Sequence, residues 1–386
     1  MHGSDGRILV THVGSIPRPP VLRDLLVRQD RGEPVDQRDL DRLAEQAVRH
    51  VVEQQLEAGV DVGNDGEQPR AGFSTYVARR MEGFGGESRR PLARDIAEHP
   101  DYRAMLDFRR RNSARVANAP QAVAEVRYTD LAEAERECDL FTRCADGAPR
   151  QFTERFMTAV SPGTAATILL NAHYDSHEQY IDGARPRAPE GVRADPRARL
   201  RAPARLPRPR DGARALLPGR LARPLPPDGR APRGRHQPGH RGDPRFSHPA
   251  ARLLGNYDGP HTHDVPMEAI LPLLYRAKVG ALSLPLANPR HQHEYTVLKH
   301  QPPPAGMLLL PGVIDTTTNY VEHPQVVADR ICQAVDAVGD RERVIASTDC
   351  GFGTFAGSEM VAESVVWAKL RTLARGAELA SARLWG

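Results

Sequence analysis

Short apolar runs and longer amphipathic segments alternate along most of the chain. The run from Arg7 to Ser15 is typical of a strand, and apolar residues then recur at helical spacing over 39–60. The same order returns towards the carboxyl end, where Pro324 opens an amphipathic helix and a strand-like run follows at 343–353. Repeated strand, polar loop and helix predict an α/β protein with a parallel sheet. With 386 residues available, we expect a single closed (β/α)8 TIM barrel.

Polar side chains fall repeatedly at the carboxyl ends of the predicted strands. In a barrel these ends meet at one mouth, which is where active sites lie. Taken singly, each of these residues is equally well explained as a helix cap or a turn residue. Together they predict one site, formed by His12, Ser15, Asp65, Glu67, Asn288, His291, Asp315, Asn319, Asp349 and Cys350.

One segment breaks the alternating pattern. Residues 184–252 contain 18 Arg, 14 Pro and 5 acidic residues but no Lys. The rest of the chain holds 35 basic and 44 acidic residues, so the body is acidic although the whole chain has a formal charge of +4. The overall charge therefore does not indicate a nucleic-acid partner.

The Arg/Pro-rich segment allows three interpretations. An Arg-rich arm can bind phosphates, but this one lacks interleaved aromatic residues that would stack on bases. A linker is disfavoured because it would stand in place of barrel strands. The chain has only 3 Lys against 50 Arg, which indicates a GC-rich gene, and such a gene read out of frame encodes mainly Arg, Pro, Ala and Gly. We interpret 183–253 as an aberrant, double-frameshift segment within one barrel spanning 1–386.

Several function classes find no support in the sequence. There is no phosphate loop, dinucleotide fingerprint or Cys-x-x-Cys pair, so a nucleotide cofactor is not expected. No apolar run is long enough to span a bilayer, and no signal peptide opens the chain. Four cysteines are too few for a disulfide framework in a chain of this size. These features predict a cytoplasmic protein without a membrane or nucleic-acid partner.

Seven ordered motifs resemble those of the cobalamin-independent methionine synthase II family, among them "THVGSIPRP", "GNDGEQPR", "ANPRHQHEY" and "STDCGFGTFAG". The resemblance covers about 1–182 and 254–386. It implies a zinc-dependent methyl transfer from methyl-tetrahydrofolate to homocysteine, in which zinc binds the thiol and deprotonates it. The thiolate is the nucleophile. Alkyl transfer to another small thiol, as in epoxide:coenzyme M transferases of the same family, stays open.

The resemblance also assigns individual residues. Gly14 and Ser15 would belong to the thiol-substrate site, and Glu67 would hold the amino group of the substrate. His291 would contact the substrate, and Cys350 would be a zinc ligand. The paired histidines at 261, 263, 291 and 293 are expected to line the mouth of the barrel rather than to bind zinc.

Two departures from the family pattern weaken the expected zinc site. Arg252 and Leu253 stand where family members have His-x-Cys, and Pro285 stands where methionine synthases have a glutamate. With Cys350 as the one remaining ligand, the chain as written should bind zinc poorly or not at all. A one-base shift near residue 254 would restore His-x-Cys. An inactive product of a damaged gene is therefore the alternative to a working transferase.

Overall fold

The computed structural model describes residues 3–88, 91–109, 111, 113–114, 119–129, 131–184, 256–277 and 279–386. Apart from its first two residues, the segment interpreted as frameshifted, 183–253, lies outside the described residues. The same holds for Arg252 and Leu253, where the zinc ligands of the family were expected. No described helix combines the length and the apolar character that a bilayer crossing requires.

The described strands are β1 (Leu9–Val10), β2 (Val62–Gly63), β3 (Met81–Gly85), β4 (Gln121–Tyr128), β5 (Glu154–Arg155), β6 (Ala281–Pro285), β7 (Leu308–Ile314) and β8 (Ile345–Thr348). The described helices are α1 (Pro20–Asp30), α2 (Gln37–Glu57), α3 (Arg94–Ala97), α4 (Pro100–Arg109), α5 (Ala132–Asp146), α6 (Pro162–Ile168), α7 (His177–Gly183), α8 (Met267–Leu274), α9 (Tyr295–His300), α10 (Pro324–Val338) and α11 (Glu363–Trp385).

Parallel pairing joins the first strand to the last. Four strands form a sheet in the order β1–β8–β7–β6, in which Leu9 pairs with Ile345. A parallel bridge from Thr11 to Val62 brings β2 beside β1, and β2 pairs in parallel with β5. The parallel order is thus β5–β2–β1–β8–β7–β6. It confirms the predicted parallel sheet, whereas closure into an eight-stranded barrel stays a prediction.

The main core lies between this sheet and the helices outside it. Helix α2 contributes Val48 and Val52, and α11 contributes Leu370, all fully buried against strand residues such as Ile314 and Ala346. Helix α10 begins with a proline in its first turn and ends before Gly339, whose φ of 76° suits a glycine. Amphipathic spacing therefore places these helices on one side of the strands. The polar loops at the strand ends are left uncovered by them and could form a functional site.

An antiparallel hairpin departs from the repeating strand and helix order. Strand β3 pairs with β4, and the register shifts between Glu82 and Phe84. Gly83 has a φ of 90° and lies against the backbone of Glu125, where a side chain would not fit. The sequence pattern did not predict this hairpin, because it lies in a region without clear periodicity.

Candidate active site

The loops that follow β1, β2 and β8 are joined by backbone hydrogen bonds. The amide of Ile16 donates to the carbonyl of Gly66 at 3.0 Å, and the amide of Phe352 donates to the carbonyl of Ser15 at 2.7 Å. Ser15 is buried, and it packs so closely on Gly351 that a Cβ at Gly351 would collide with its hydroxyl. Position 351 follows Cys350, so the structure brings Ser15 and Cys350 to one place.

Gly14 lies directly against Glu67. A Cβ built on Gly14 would fall 3.0 Å from Glu67 Oε1 and 2.7 Å from the methyl group of Thr158. The φ of Gly14 is 149°, a conformation that residues with a side chain rarely adopt. The structure therefore places two residues that the resemblance assigned to substrate binding in direct contact.

Glu67 has an unusual backbone conformation and a buried carboxylate. Its φ is 54°, uncommon for a residue other than glycine. The Asp65 carboxylate accepts a hydrogen bond from the Glu67 amide at 3.0 Å, and Arg18 donates to the Glu67 carbonyl at 2.9 Å. The side chain is 2% exposed, and among the described residues Oε2 has no hydrogen-bond donor. A buried carboxylate oxygen without a donor is costly unless a ligand pairs with it.

Two further buried groups, on the loops after β1 and β2, have shifted pKa values. Burial raises the pKa of Asp65 to about 6, against the opposing attraction of Arg70. Burial lowers the pKa of His12 to about 4, although a hydrogen bond to Gln55 opposes the shift. His12 is therefore neutral near pH 7, and its Nε2 lies 2.9 Å from Gln55 Oε1 and 3.2 Å from Asn64 Nδ2. These contacts support the loop after β2 and give His12 a positioning role.

Asp349 fastens the end of β8 to the loop that follows β6. Its carboxylate accepts hydrogen bonds of 2.8 Å from the amides of Leu286, Ala287 and Asn288. Burial raises its pKa to about 7, and the hydrogen bonds from these amides oppose the shift. A Cβ at Gly312 would collide with this carboxylate, so a glycine is needed there. Asp349 therefore sets the position of the adjacent residue, Cys350.

A second cluster lies on the loops before α8 and after β6. Asp264 Oδ2 is 2.6 Å from His261 Nδ1 and 2.9 Å from His291 Nε2, and His291 Nδ1 is 3.2 Å from Glu294 Oε2. Burial disfavours the charged form of His291, but hydrogen bonds to both carboxylates outweigh it and raise its pKa to about 9. Burial opposes ionisation of Asp264 as well, yet the two imidazoles lower its pKa. The sequence pattern pointed to His291 but not to Asp264, although Asp264 directly follows the His-x-His pair.

The fold is that of two solved structures. A B12-independent methionine synthase from Shewanella sp. W3-18-1, in complex with selenomethionine, superposes with a TM-score of 0.58 at 18% identity, covering 98% of this chain and 99% of that chain. The putative vitamin-B12-independent methionine synthase from Listeria monocytogenes gives a TM-score of 0.52 at 15% identity, with the same coverage. At such identities the likeness concerns the fold.

Sequence comparison adds two relatives that match over short stretches. A methionine synthase from Sulfolobus acidocaldarius is 42% identical over 74 residues, which are 19% of this chain and 22% of that protein. Over this stretch the chain is similar to a methionine synthase. A 5-methyltetrahydropteroyltriglutamate–homocysteine methyltransferase from Shewanella oneidensis is 35% identical over 75 residues, 19% of this chain and 10% of that protein. The matches thus span about a fifth or less of these relatives, and no model of a known protein family matches the chain.

The motif resemblance predicted a zinc site that includes Cys350. Among the described residues, no group of three His, Cys, Asp or Glu side chains within ligand distance includes Cys350. Pro285, at the end of β6, carries no ligand atom. The described residues therefore do not form a zinc site at Cys350, and the two remaining expected positions lie outside them.

Proposed function

We propose that this chain, or the protein that its gene encodes in the restored reading frame, transfers a methyl group from a methyl-folate to the thiol of homocysteine. The observation that carries the proposal is the buried Glu67 carboxylate, which contacts Gly14 and keeps one oxygen without a donor in the described part of the chain. An α-ammonium group would supply that donor in a charge-assisted hydrogen bond. The name of the Shewanella oneidensis relative, a homocysteine methyltransferase, supports this acceptor.

The chemistry requires an oriented thiol more than a strong general base. A bond forms between the thiol sulfur and the methyl carbon while the bond from N5 of the folate to that carbon breaks. The thiolate is the nucleophile, so the thiol gives up its proton, and N5 of the folate keeps the electrons of the broken bond and takes up a proton as it leaves. Holding the amino end of homocysteine at Glu67 would orient the sulfur towards Ser15 and Cys350, which lie at the neighbouring strand ends.

We expect zinc to bind at Cys350 only in a chain that has the complete ligand set. Cys350 would be one ligand, and His-x-Cys, if the frame were restored, would supply two more. When bound there, zinc would hold the thiol in its deprotonated form. For the chain as written we propose an impaired or inactive enzyme.

The interpretation of 183–253 as out-of-frame sequence is also part of the proposal. Among the described residues, β5 and β6 are the two ends of the parallel order, and each has one parallel strand neighbour. A closed eight-stranded barrel would place two further strands between them. The interpreted segment falls between β5 and β6 in the sequence, which supports its assignment to the damaged part of the barrel.

Transfer to another small thiol is the second candidate. The observation that favours it is Pro285, which removes the carboxylate that methionine synthases have at the end of this strand. Comparing homocysteine with coenzyme M as acceptors separates the two candidates.

The test of the proposed acceptor compares two thiols in the frame-restored protein. Homocysteine and 4-mercaptobutanoate, which lacks the amino group, are assayed with methyl-tetrahydrofolate for wild type and Glu67→Gln. We expect Glu67→Gln to lower kcat/KM for homocysteine by roughly 10- to 100-fold, since a hydrogen bond to a charged group is worth about 1.5–3 kcal/mol. The rate with 4-mercaptobutanoate should change little.

Glu82→Gln is the matched control, because Glu82 is an exposed acid on β3 paired with Arg127. Equal losses with both thiols would reject the role of Glu67. No methyl transfer by the wild-type protein to any thiol would reject the proposed function.

A further inference from the structure

The cluster on the loops before α8 and after β6 has the geometry of a metal site that does not involve Cys350. We propose that His261, Asp264 and His291 bind a divalent transition-metal ion such as Zn²⁺. Their ligand atoms all lie within 4.8 Å of one another, and they form the one such group of three in the described part of the chain. Two imidazoles and a carboxylate are a common ligand set for zinc and for other first-row metals.

The outward-facing nitrogen of each histidine has the partner that a metal ligand needs. His261 Nε2 lies 2.7 Å from the carbonyl oxygen of Tyr257, and His291 Nδ1 lies 3.2 Å from Glu294 Oε2. Glu294 is itself oriented, because its other oxygen accepts a hydrogen bond of 3.0 Å from the amide of Met267. Metal-binding histidines almost always donate their second N–H to a carbonyl or carboxylate, which sets the tautomer and the ring orientation.

The inward-facing nitrogens then point at a single oxygen. With Nε2 of His261 and Nδ1 of His291 turned to their own partners, His261 Nδ1 and His291 Nε2 face Asp264 Oδ2 at 2.6 Å and 2.9 Å. A divalent cation placed among these two nitrogens and the carboxylate oxygen would be bound by all three.

Burial and backbone geometry keep the three ligands in place. The His261 and His291 side chains are about 3% and 5% exposed, and their rings meet edge to face. His261 has a φ of 54°, and its carbonyl accepts a hydrogen bond of 2.9 Å from Arg290. Asp264 is more exposed, at 13% of its side chain, so the ligand set has an accessible side for water or a further ligand.

The test is metal binding by the purified full chain, so its result does not depend on the proposed methyl transfer. Zn²⁺ is measured by elemental analysis after dialysis, and Co²⁺ by its visible spectrum. We expect one ion in the wild type and in Cys350→Ser, without a sulfur-to-cobalt charge-transfer band. Asp264→Asn should lose this ion, and Glu294→Gln should bind it about 10- to 100-fold more weakly.

His263→Gln is the matched control, because His263 lies on the same loop but pairs with Glu98 outside the cluster. Its affinity should equal that of the wild type. X-ray absorption at the zinc edge of the wild type should show two imidazole ligands and no sulfur. This measurement tests the ligand set even if Asp264→Asn fails to fold. Absence of metal from the wild type, loss of the ion in Cys350→Ser, or sulfur ligation would each overturn the proposal.

Discussion

A hydrogen atom in place of a side chain at Gly14 leaves room beside the Glu67 carboxylate. The two residues are 53 positions apart in the sequence, yet a Cβ at Gly14 would lie 3.0 Å from Glu67 Oε1. The resemblance to methionine synthases named both residues, but only their contact explains why a glycine is needed.

Substituting Gly14→Ala tests this contact. The new methyl group would press on Thr158 and Glu67, so we expect a loss of unfolding free energy of about 1–3 kcal/mol and a raised KM for homocysteine. Gly306→Ala is the control, because Gly306 also has a positive φ, 83°, but its Cβ would meet no atom within 4 Å. The measurements are urea denaturation and transfer kinetics, and equal KM values for both variants would refute the prediction.

His12 predicts a pH dependence of stability. Its pKa falls from 6.5 to about 4 on folding, because burial disfavours the charged ring. Between these values the unfolded chain binds a proton that the folded chain does not, so stability increases with pH. Above pH 6.5 His12 does not reduce the free energy of unfolding. As the pH falls from 6.5 towards 4, this free energy decreases by about 3 kcal/mol because of His12.

Urea unfolding of wild type and His12→Asn at pH 5 and pH 7.5 measures this effect. The destabilisation by acid should be smaller in the variant. Asp65 acts in the opposite direction over part of this range, since its raised pKa favours the folded state at low pH, and it is present in both proteins. An identical pH dependence in both would show that His12 does not titrate in this way.

At the scale of elements, buried polar contacts position the loops at the strand ends. Asp349 links the end of β8 to the loop after β6 through hydrogen bonds, and Lys369 of α11 links the end of β7 to the outer helices. Lys369 is fully buried and donates to Glu322 at 2.9 Å and to the carbonyl of Asp315 at 3.0 Å. Glu322 in turn accepts a hydrogen bond from the Asp315 amide at 2.9 Å. These contacts position the loop after β7.

Removing one member of this buried pair should be far more harmful than removing both. Lys369→Met leaves Glu322 without its cation, and we expect a loss of about 3–5 kcal/mol of unfolding free energy. The double variant Lys369→Met/Glu322→Gln should recover part of that loss. Lys299→Met is the exposed counterpart, because Lys299 pairs with Asp336 at the surface, and it should cost at most about 1 kcal/mol. Chemical denaturation of the wild type and the three variants measures the free energy of unfolding. Equal losses of this free energy in Lys369→Met and Lys299→Met would contradict the prediction.

For the whole molecule, the parallel order that joins β1 to β8 makes the region between β5 and β6 decisive. The acidic body and the Arg/Pro-rich segment differ sharply in composition, and the segment lies between these two strands in sequence. A barrel lacking native strands there would expose apolar surface on both neighbouring strands.

Restoring the reading frame should therefore raise both stability and activity. Resequencing the gene across the codons for residues 182–256 comes first. If two indels are found, the corrected protein should unfold at a higher temperature than the chain as written and should transfer methyl groups where the original does not. Unchanged stability after correction would show that the segment is not a damaged part of the barrel.

The sequence alone was sufficient for features that depend on nearest neighbours. Periodic apolar residues predicted α2 and α10, because burial of one helix face requires residues three and four apart. The alternation of elements predicted parallel pairing, and ordered motifs indicated the resemblance to methionine synthases. Composition alone set 183–253 apart.

Only the tertiary structure decided which distant residues meet. It placed Leu9 beside Ile345, Gly14 against Glu67, and Asp264 between His261 and His291. It also showed that the charged side chain of Lys369 is buried beside Glu322. Such contacts join strands and loops that are far apart along the chain, so their distances depend on the twist and order of the whole sheet rather than on any local pattern.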